Sequence, residues 1–585
     1  MNASQNLSHG AATRDPAPFT EIFPSSRPAP APRTAYPPAD LLALSQAMAD
    51  QPDSVKDGAD PEENAAVPAG YTYFGQFIDH DLTFDTTSSL NPKVAFGKHA
   101  PQPTNLRTPR LDLDCLYGDG PDAQPYMYDT DGATLLFQHS SPNPALAQID
   151  LLRAPNGRAI IGDKRNDENS IVSQIQLAMV QYHNEVVKHL KGQNPDDWNV
   201  KDDLFKSARN EVRWAYQTLV LHDYLPRIIA PEVLADLASP PKSGRHYVLY
   251  KNDIRSNLPR EFVAAAYRFG HSMVRAGYRL NAGIDNRFHI FGSSKPQANE
   301  LKETPPSLLG FDPLPASHVI DNWHRFFPTT AYANPFPHLG KKANGDVPHT
   351  TVRLQFAYKI DPTIVDPLSV LPRQQVAGGA AEEAERLLPS GHLPDPTGRP
   401  SLGLLNLIRG NTYNLVSGQT VARKLLADAT LEPAIMASMR ASHVPLDGSR
   451  LVTRHKEDVS GTTVMSFKTI DPSFEKDTPL WFYVLAEAQA PLVDALSGSQ
   501  PFNEDKLLDP ATNHTQLGWV GGRILAEVFY GILDSDHESV IRAVQNQTDD
   551  PQKQRNLGVY APKDWKPLLG GNGASLFINL LNFKA

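Results

Sequence analysis

A single cysteine, Cys115, stands in a chain of 585 residues. One thiol cannot close an internal disulfide, so stability has to come from packing and from bound ions or a cofactor. Basic residues are not in excess either. The formal net charge is −10 and the isoelectric point is about 6.0, with no basic stripe, which argues against a nucleic-acid partner. No apolar run approaches the roughly 18–20 residues that a membrane span needs. The opening "MNASQNLSHGAATRDPAPF" lacks a basic stretch followed by an apolar one, so no signal peptide is visible. A reducing compartment suits the lone thiol, and the expectation is a cytoplasmic protein or one exported by a route other than the general secretory one. Oligomeric state is not readable.

Proline is plentiful at the start. Residues 1–40, with "RPAPAPRTAYPPAD", read as an extended or disordered arm on the surface. Length alone would suggest several domains in the remainder, 41–585, a soft prior because a large cofactor can organise one oversized core. There, helical spacing dominates: Ile171, Ile175, Met179, Tyr182, Val186 and Leu190 recur at three and four, as do Leu204, Ala208, Val212, Ala215 and Leu219. Segments rich in Pro, Gly and Asn, 284–350 and 370–402, read as long loops. Strand signals are few, "RHYVLY" being the best. The fold class predicted is mainly α, with long loops and little β.

Five short segments carry candidate chemistry. In "YTYFGQFIDHDLTFD", a helix would put Gln76, Asp79 and His80 on one face, while Asp81 lies two steps of about 100° past Asp79. "TPRLDLDCLYG" places Thr108, Arg110, Asp112 and Asp114 at every second position, a spacing that lets a loop wrap a hard cation such as Ca²⁺. "GDKRNDENS" holds Arg165 and Glu168 three apart. "AAAYRFGHSMVRAG" puts His271 after a run of small residues, and "LLNLIRGN" puts the amide of Asn406 inside an apolar helix. Each alone also reads as ordinary structure: an acidic helix end, an acidic turn, a surface ion pair, a hydrogen-bonded core histidine and a satisfied core amide. The near-match of "GHSMV" to a nucleophile elbow fails because Val274 stands where the second glycine must be, so Ser272 is not a hydrolase nucleophile.

Taken in order, "GQFIDHD", "TPRLDLDCLYG", "GDKRNDE", "HDYLP", "YRFGH" and "LLNLIRG" resemble the animal-type haem peroxidases, the peroxidase–cyclooxygenase superfamily, from about residue 60 to at least 425. The resemblance implies one mainly helical peroxidase domain built around haem b. It implies His271 as the proximal iron ligand, its second ring nitrogen donating to the Asn406 side-chain oxygen. His80 would be the distal base, taking a proton from one oxygen of H₂O₂ and returning it to the other. Arg165 would stabilise charge on the departing oxygen, and Gln76 would hold a water or halide. Asp79 and Glu168 stand where relatives form haem esters, and Asn169 stands where a methionine would form a sulfonium link, so no such link is implied. Asp81, Thr108, Asp112, Asp114 and the Arg110 carbonyl would surround calcium.

The implied function is reduction of H₂O₂ with oxidation of a halide, a pseudohalide or a small aromatic donor. Two alternatives stay open. A fatty-acid dioxygenase would use a tyrosyl radical three residues before the proximal histidine. Arg268 occupies that position, and Tyr267 lies one step earlier, about 100° away on a helix. A non-catalytic haem- or calcium-binding scaffold would not need His80 and Arg165. The chain departs from the family where "RGNTYN" replaces an Arg-Asp-His-Gly run, and where disulfides cannot form.

Overall fold

The apolar spacing becomes helices that bury the expected faces. The computed structural model describes residues 17–24, 35–50, 60–84, 104–139, 149–193, 201–240, 244–255, 257–282, 287–291, 307–329, 352–369, 401–548, 550, 561–571 and 575–585. The principal helices are α1 (Pro38–Met48), α2 (Gly70–Leu82), α3 (Ser170–Gln193), α4 (Lys201–Leu219), α5 (Leu402–Thr412), α6 (Leu480–Leu496) and α7 (Trp519–Ser535). On α3, Ile171, Ile175, Met179, Tyr182 and Val186 are buried; on α4, Leu204, Ala208, Val212, Ala215 and Leu219 are. The strands described are short antiparallel pairs and one three-stranded sheet of Val452–Val459, Thr462–Thr469 and Phe502–Asn503. The chain is mainly α, as its sequence predicts. Among the described residues no helix is long and apolar enough to cross a membrane.

One hydrophobic core runs from Phe19 to Leu580, with a small satellite of Met465, Leu492, Leu496, Phe502 and Leu507 beside the three-stranded sheet. Two buried carboxylates tie this core to the backbone. Glu487 on α6 accepts from Val520 N and Gly521 N at the start of α7, where orphan amides and the helix dipole favour a negative charge. Glu527 on α7 accepts from Val248 N, Leu249 N and Tyr250 N at 3.0, 2.7 and 2.9 Å. That triple bond to an anion explains why "RHYVLY" is not a strand. Its amides turn inward to one carboxylate instead of pairing along a ladder.

The N-terminal arm also departs from expectation. Within residues 17–24, Ala17 and Pro18 are exposed, but Phe19, Ile22 and Phe23 are buried in the main core. Ala17–Pro18 pairs with Thr104–Asn105, and the Glu261 carboxylate accepts from Ile22 N and Phe23 N. Burying three apolar side chains, at about 1.5–3 kcal/mol each, outweighs the extended preference of the flanking prolines. Residues 1–16 and 25–34 of the arm lie outside the described residues, as do most of 284–350 and nearly all of 370–402.

Two glycines allow close approaches that shape the site. A Cβ on Gly75 in α2 would meet the Tyr224 hydroxyl at 2.5 Å. A Cβ on Gly162 would meet the Asp114 and Cys115 carbonyls at 2.4 and 2.7 Å, so this glycine lets the segment bearing Arg165 lie flush on the acidic loop. After α4 the chain makes a π-helical turn, Val220–Tyr224, which brings Tyr224 towards α2.

Candidate active site

A cavity of about 380 Å³ opens between α2, α5, the Lys164–Asp167 turn and the Ala266–His271 turn. This lies within the usual range of about 300–1,000 Å³ for small-molecule and cofactor sites. Gln76, Asp79, His80, Arg165, Glu168, His271 and Asn406 all line it. Seven residues spread over 331 positions of sequence (76 to 406) thus share one wall system. Gln76, Asp79, Arg165, Glu168 and His271 are half-buried while most of their neighbours are fully buried, as side chains facing a hollow must be.

His80 is held from behind. Its Nδ1 lies 2.7 Å from Asn166 Oδ1, and Asn166 Nδ2 donates to Gln176 Oε1 at 2.8 Å. Burial, and then the Arg165 charge, lower the His80 pKa to about 4, so the ring is neutral at ordinary pH. Its Nε2 is 3.9 Å from Glu168 Oε1. Burial first, with help from the negative Asp163 and Asp79, raises the Glu168 pKa to about 7. Gln76 is occupied on both ends of its amide: Nε2 donates to Glu168 Oε1, and Oε1 accepts from Asn169 Nδ2 at 3.1 Å.

Arg165 is steered by Asp163, whose carboxylate accepts from its Nε and Nη2, and by the His80 and Thr83 carbonyls. Its guanidinium lies over the Phe84 ring at 4.9 Å. Burial would lower its pKa, but the Asp163 charge and hydrogen bond outweigh that and raise it. Asp163 was not singled out in the sequence, although its place two residues before an arginine is a visible signal.

On the opposite wall, His271 ends a 3₁₀ turn rather than the small-residue helix predicted. The α-helix of Arg260–Ala264 breaks at Ala265 (φ −137°, ψ −70°), and Trp481 Nε1 donates to the Arg268 carbonyl at 3.1 Å, tying the turn to α6. Burial, then the Arg268 and Arg409 charges, lower the His271 pKa to about 3. Asn406 contacts His271 Nδ1 at 2.7 Å, as expected, but through Nδ2 and not the oxygen. In that orientation Nδ1 accepts. Turning the amide over exchanges two atoms of nearly equal size and makes the oxygen the acceptor.

Arg268 and Arg409 also line the cavity; the sequence reading named Arg268 only as standing where a dioxygenase has its tyrosine, and passed over Arg409. A signal for Arg409 was present: Leu402, Leu405, Asn406 and Arg409 follow the i, i+3, i+4, i+7 spacing of one helix face, and all four line the cavity. Tyr267, expected to point elsewhere, lines it too, although the 3₁₀ coil sets it about 120° from Arg268. Its hydroxyl donates to the Gly75 carbonyl at 3.2 Å.

Asp81 points away from the cavity, as the helical period predicts. Its carboxylate joins those of Asp112 and Asp114, with one oxygen of each within 4.8 Å of the others. Both Asp81 oxygens and one of Asp112 are buried without a hydrogen-bond donor, while Asp114 Oδ1 lies 3.1 Å from Arg107 Nη1. Burial and the two neighbouring carboxylates raise the Asp81 pKa well above the usual range; burial and Asp112 raise that of Asp114 to about 7. Thr108 Oγ1 donates to Asp112 Oδ2 at 2.7 Å. The Arg110 side chain turns away to Asp536 and Glu538, while its carbonyl accepts from Gln217 Nε2 at 3.4 Å. Leu111 and Leu113 adopt positive φ (54° and 62°), which bends the loop around the carboxylates. Three carboxylates buried this close together, on a loop with further oxygen atoms, suit a hard cation.

The animal haem peroxidase family model matches residues 89–304. A dual oxidase of Drosophila melanogaster is 29% identical over 181 residues, which are 31% of this chain and 10% of that protein. Thyroid peroxidase of Canis lupus familiaris is 25% identical over 252 residues, covering 40% of this chain and 25% of that one. The chain therefore matches a quarter or less of the length of these relatives. Among solved structures, peroxidase A from Dictyostelium discoideum is 14% identical, with 94% and 95% of the two chains covered and a TM-score of 0.48. A fatty acid alpha-dioxygenase from Oryza sativa is 12% identical, with 87% and 80% covered and a TM-score of 0.37. Over residues 89–304 the chain is thus similar to the animal haem peroxidases.

Proposed function

We propose that the protein is a haem-dependent peroxidase that reduces H₂O₂ and oxidises a halide, a pseudohalide or a small aromatic donor. The observation that carries this is two neutral imidazoles, His80 and His271, on the walls of one cavity that also holds the Arg165 guanidinium. The cavity suits haem: Met273, Val274, Ile290, Phe291, Leu368 and Leu405 supply apolar wall, and Arg268 and Arg409 supply cations for its carboxylates. Haem would bring the redox chemistry.

The chain's own residues do the rest. His271 would offer Nε2 to the iron, with the Asn406 oxygen holding the proton on Nδ1. His80 Nε2 would take a proton from one oxygen of H₂O₂ and deliver it to the other. Arg165, permanently charged, would lower the energy of the departing oxygen. Gln76, with its second amide proton, would hold a water or halide. Asp79 and Glu168, both facing the cavity, would be the sites of ester links to haem. An absorption spectrum before and after one equivalent of H₂O₂ tests the reading. A Soret band that responds to peroxide is expected. A band without peroxide-dependent oxidation of guaiacol or bromide would instead support a haem-binding scaffold.

A second reading, fatty-acid oxygenation, is favoured by the place of Tyr267 on the cavity wall. Its test is oxygen uptake with an unsaturated fatty acid. Peroxidase chemistry predicts no sustained uptake, whereas uptake abolished by Tyr267→Phe would establish the oxygenase.

Calcium would sit among Asp81, Asp112, Asp114, the Thr108 hydroxyl and the Arg110 carbonyl. Its affinity has a predictable pH dependence. The raised pKa values mean that the ion-free fold binds protons at Asp81 and Asp114, and is most stable below the ordinary carboxylate pKa. That stability is lost as pH rises towards about 7. Calcium competes with those protons, so affinity rises over the same window. Titration at pH 5 and pH 8 checks this: tighter binding at pH 8 is expected, and at free calcium 100 times its Kd the fold gains about 2.7 kcal/mol.

A further inference from the structure

The pair behind His80 has a job that the roles above leave out. Asn166 and Gln176 are both fully buried, and His80 Nδ1, Asn166 and Gln176 form one line of contacts at 2.7 and 2.8 Å. A side-chain carbonyl oxygen can only accept, so with Oδ1 towards the ring Nδ1 must carry the proton. Nε2 is then bare and faces the cavity. Were the Asn166 amide turned over, its N–H would donate to Nδ1, the proton would sit on Nε2, and His80 would meet H₂O₂ with a donor instead of a base. In the orientation present, Gln176 Oε1 accepts from Asn166 Nδ2, which leaves Oδ1 for the ring. Gln176 Nε2, at the far end, is buried without a partner. It is therefore free to turn and donate should position 166 offer only acceptors.

We infer that Asn166, held by Gln176, is a positioning residue that fixes His80 in the Nδ1–H tautomer and so keeps Nε2 available as the proton acceptor of the cavity. This rests on the haem reading above. It differs from a packing role in one respect: what matters is the acceptor at position 166, not the volume.

The experiment measures cyanide binding by stopped flow on the haem-loaded protein, alongside haem content and Soret position. Hydrogen cyanide, the form present at neutral pH, must hand its proton to a base before the anion binds iron, so the association rate reports the bare Nε2 directly. Asn166→Leu, close in size but without an acceptor, is expected to slow association about 10–100-fold, the usual cost of losing a partner that orients a site histidine. Asn166→Asp keeps the acceptor, lets Gln176 turn to satisfy it, and is expected to stay within about threefold of the parent. Haem content and Soret position, set on the His271 side, stay as in the parent in both. An Asn166→Leu protein that binds cyanide at the parental rate overturns the inference, as does an Asn166→Asp protein as slow as Asn166→Leu. Should Asn166→Leu fail to fold, Gln176→Leu removes the clamp one residue further back. A slowed rate there supports the relay and an unchanged rate overturns it. A parent protein with no Soret band refutes the haem reading itself, a result distinct from either.

Discussion

Replacing His80 with alanine is expected to slow the reaction with H₂O₂ by about 10²–10⁴-fold while haem stays bound, since a positioned acid–base group contributes on that scale. Each factor of ten is about 1.4 kcal/mol of barrier, so the loss corresponds to about 3–5 kcal/mol. Haem retention should hold because His80 lies on the wall opposite His271 and supplies no ligand in this scheme. The pH profile separates base catalysis from crowding. Burial and the Arg165 charge place the His80 pKa near 4, so the parent rate should hold from neutral pH down to about that value. It then falls as Nε2 gains a proton, because the protonated ring cannot accept another. The alanine variant should be slow and flat across the same range. Stopped-flow Soret changes check both statements, and parental kinetics in His80→Ala would remove the distal role.

The second large effect is expected at His271. Alanine there removes the axial nitrogen, and haem should be lost on gel filtration, with the Soret absorbance per protein falling towards background. The rest of the cavity remains: Arg268, Arg409 and the apolar wall still offer contacts. Added imidazole should therefore restore part of the band by filling the space the side chain left. A His271→Ala protein that keeps haem with the parental spectrum would assign the ligand elsewhere. Asn406→Ala is informative beside it, because Asn406 contacts the ring at Nδ1.

How much of this could be read from the chain depends on range. In α2 the 3.6-residue period alone separates Gln76, Asp79 and His80 from Asp81, and the folded molecule sends the first three to the cavity and the fourth to the acidic loop. Helical periodicity is a local property, so it survives translation into three dimensions. The faces of α3 and α4 were legible for the same reason. Partners separated by long stretches of sequence were not. Asn166 meets His80 across 86 residues, and "RHYVLY" loses its strand to Glu527, 277–279 residues away. The left-handed backbone at Leu111 and Leu113 carries no composition signal, because leucine rarely adopts it.

The packed arm has a bearing on how the molecule is made. Thr20 exchanges backbone hydrogen bonds with the chain at Leu258 and Arg260, and Ile22 and Phe23 dock on Glu261, just ahead of the turn that ends in His271. The two partners are separated by 239 residues. At roughly 5–20 residues per second of synthesis, the arm leaves the ribosome roughly 10–50 s before its receptor exists. During that interval Phe19, Ile22 and Phe23 have no groove to enter.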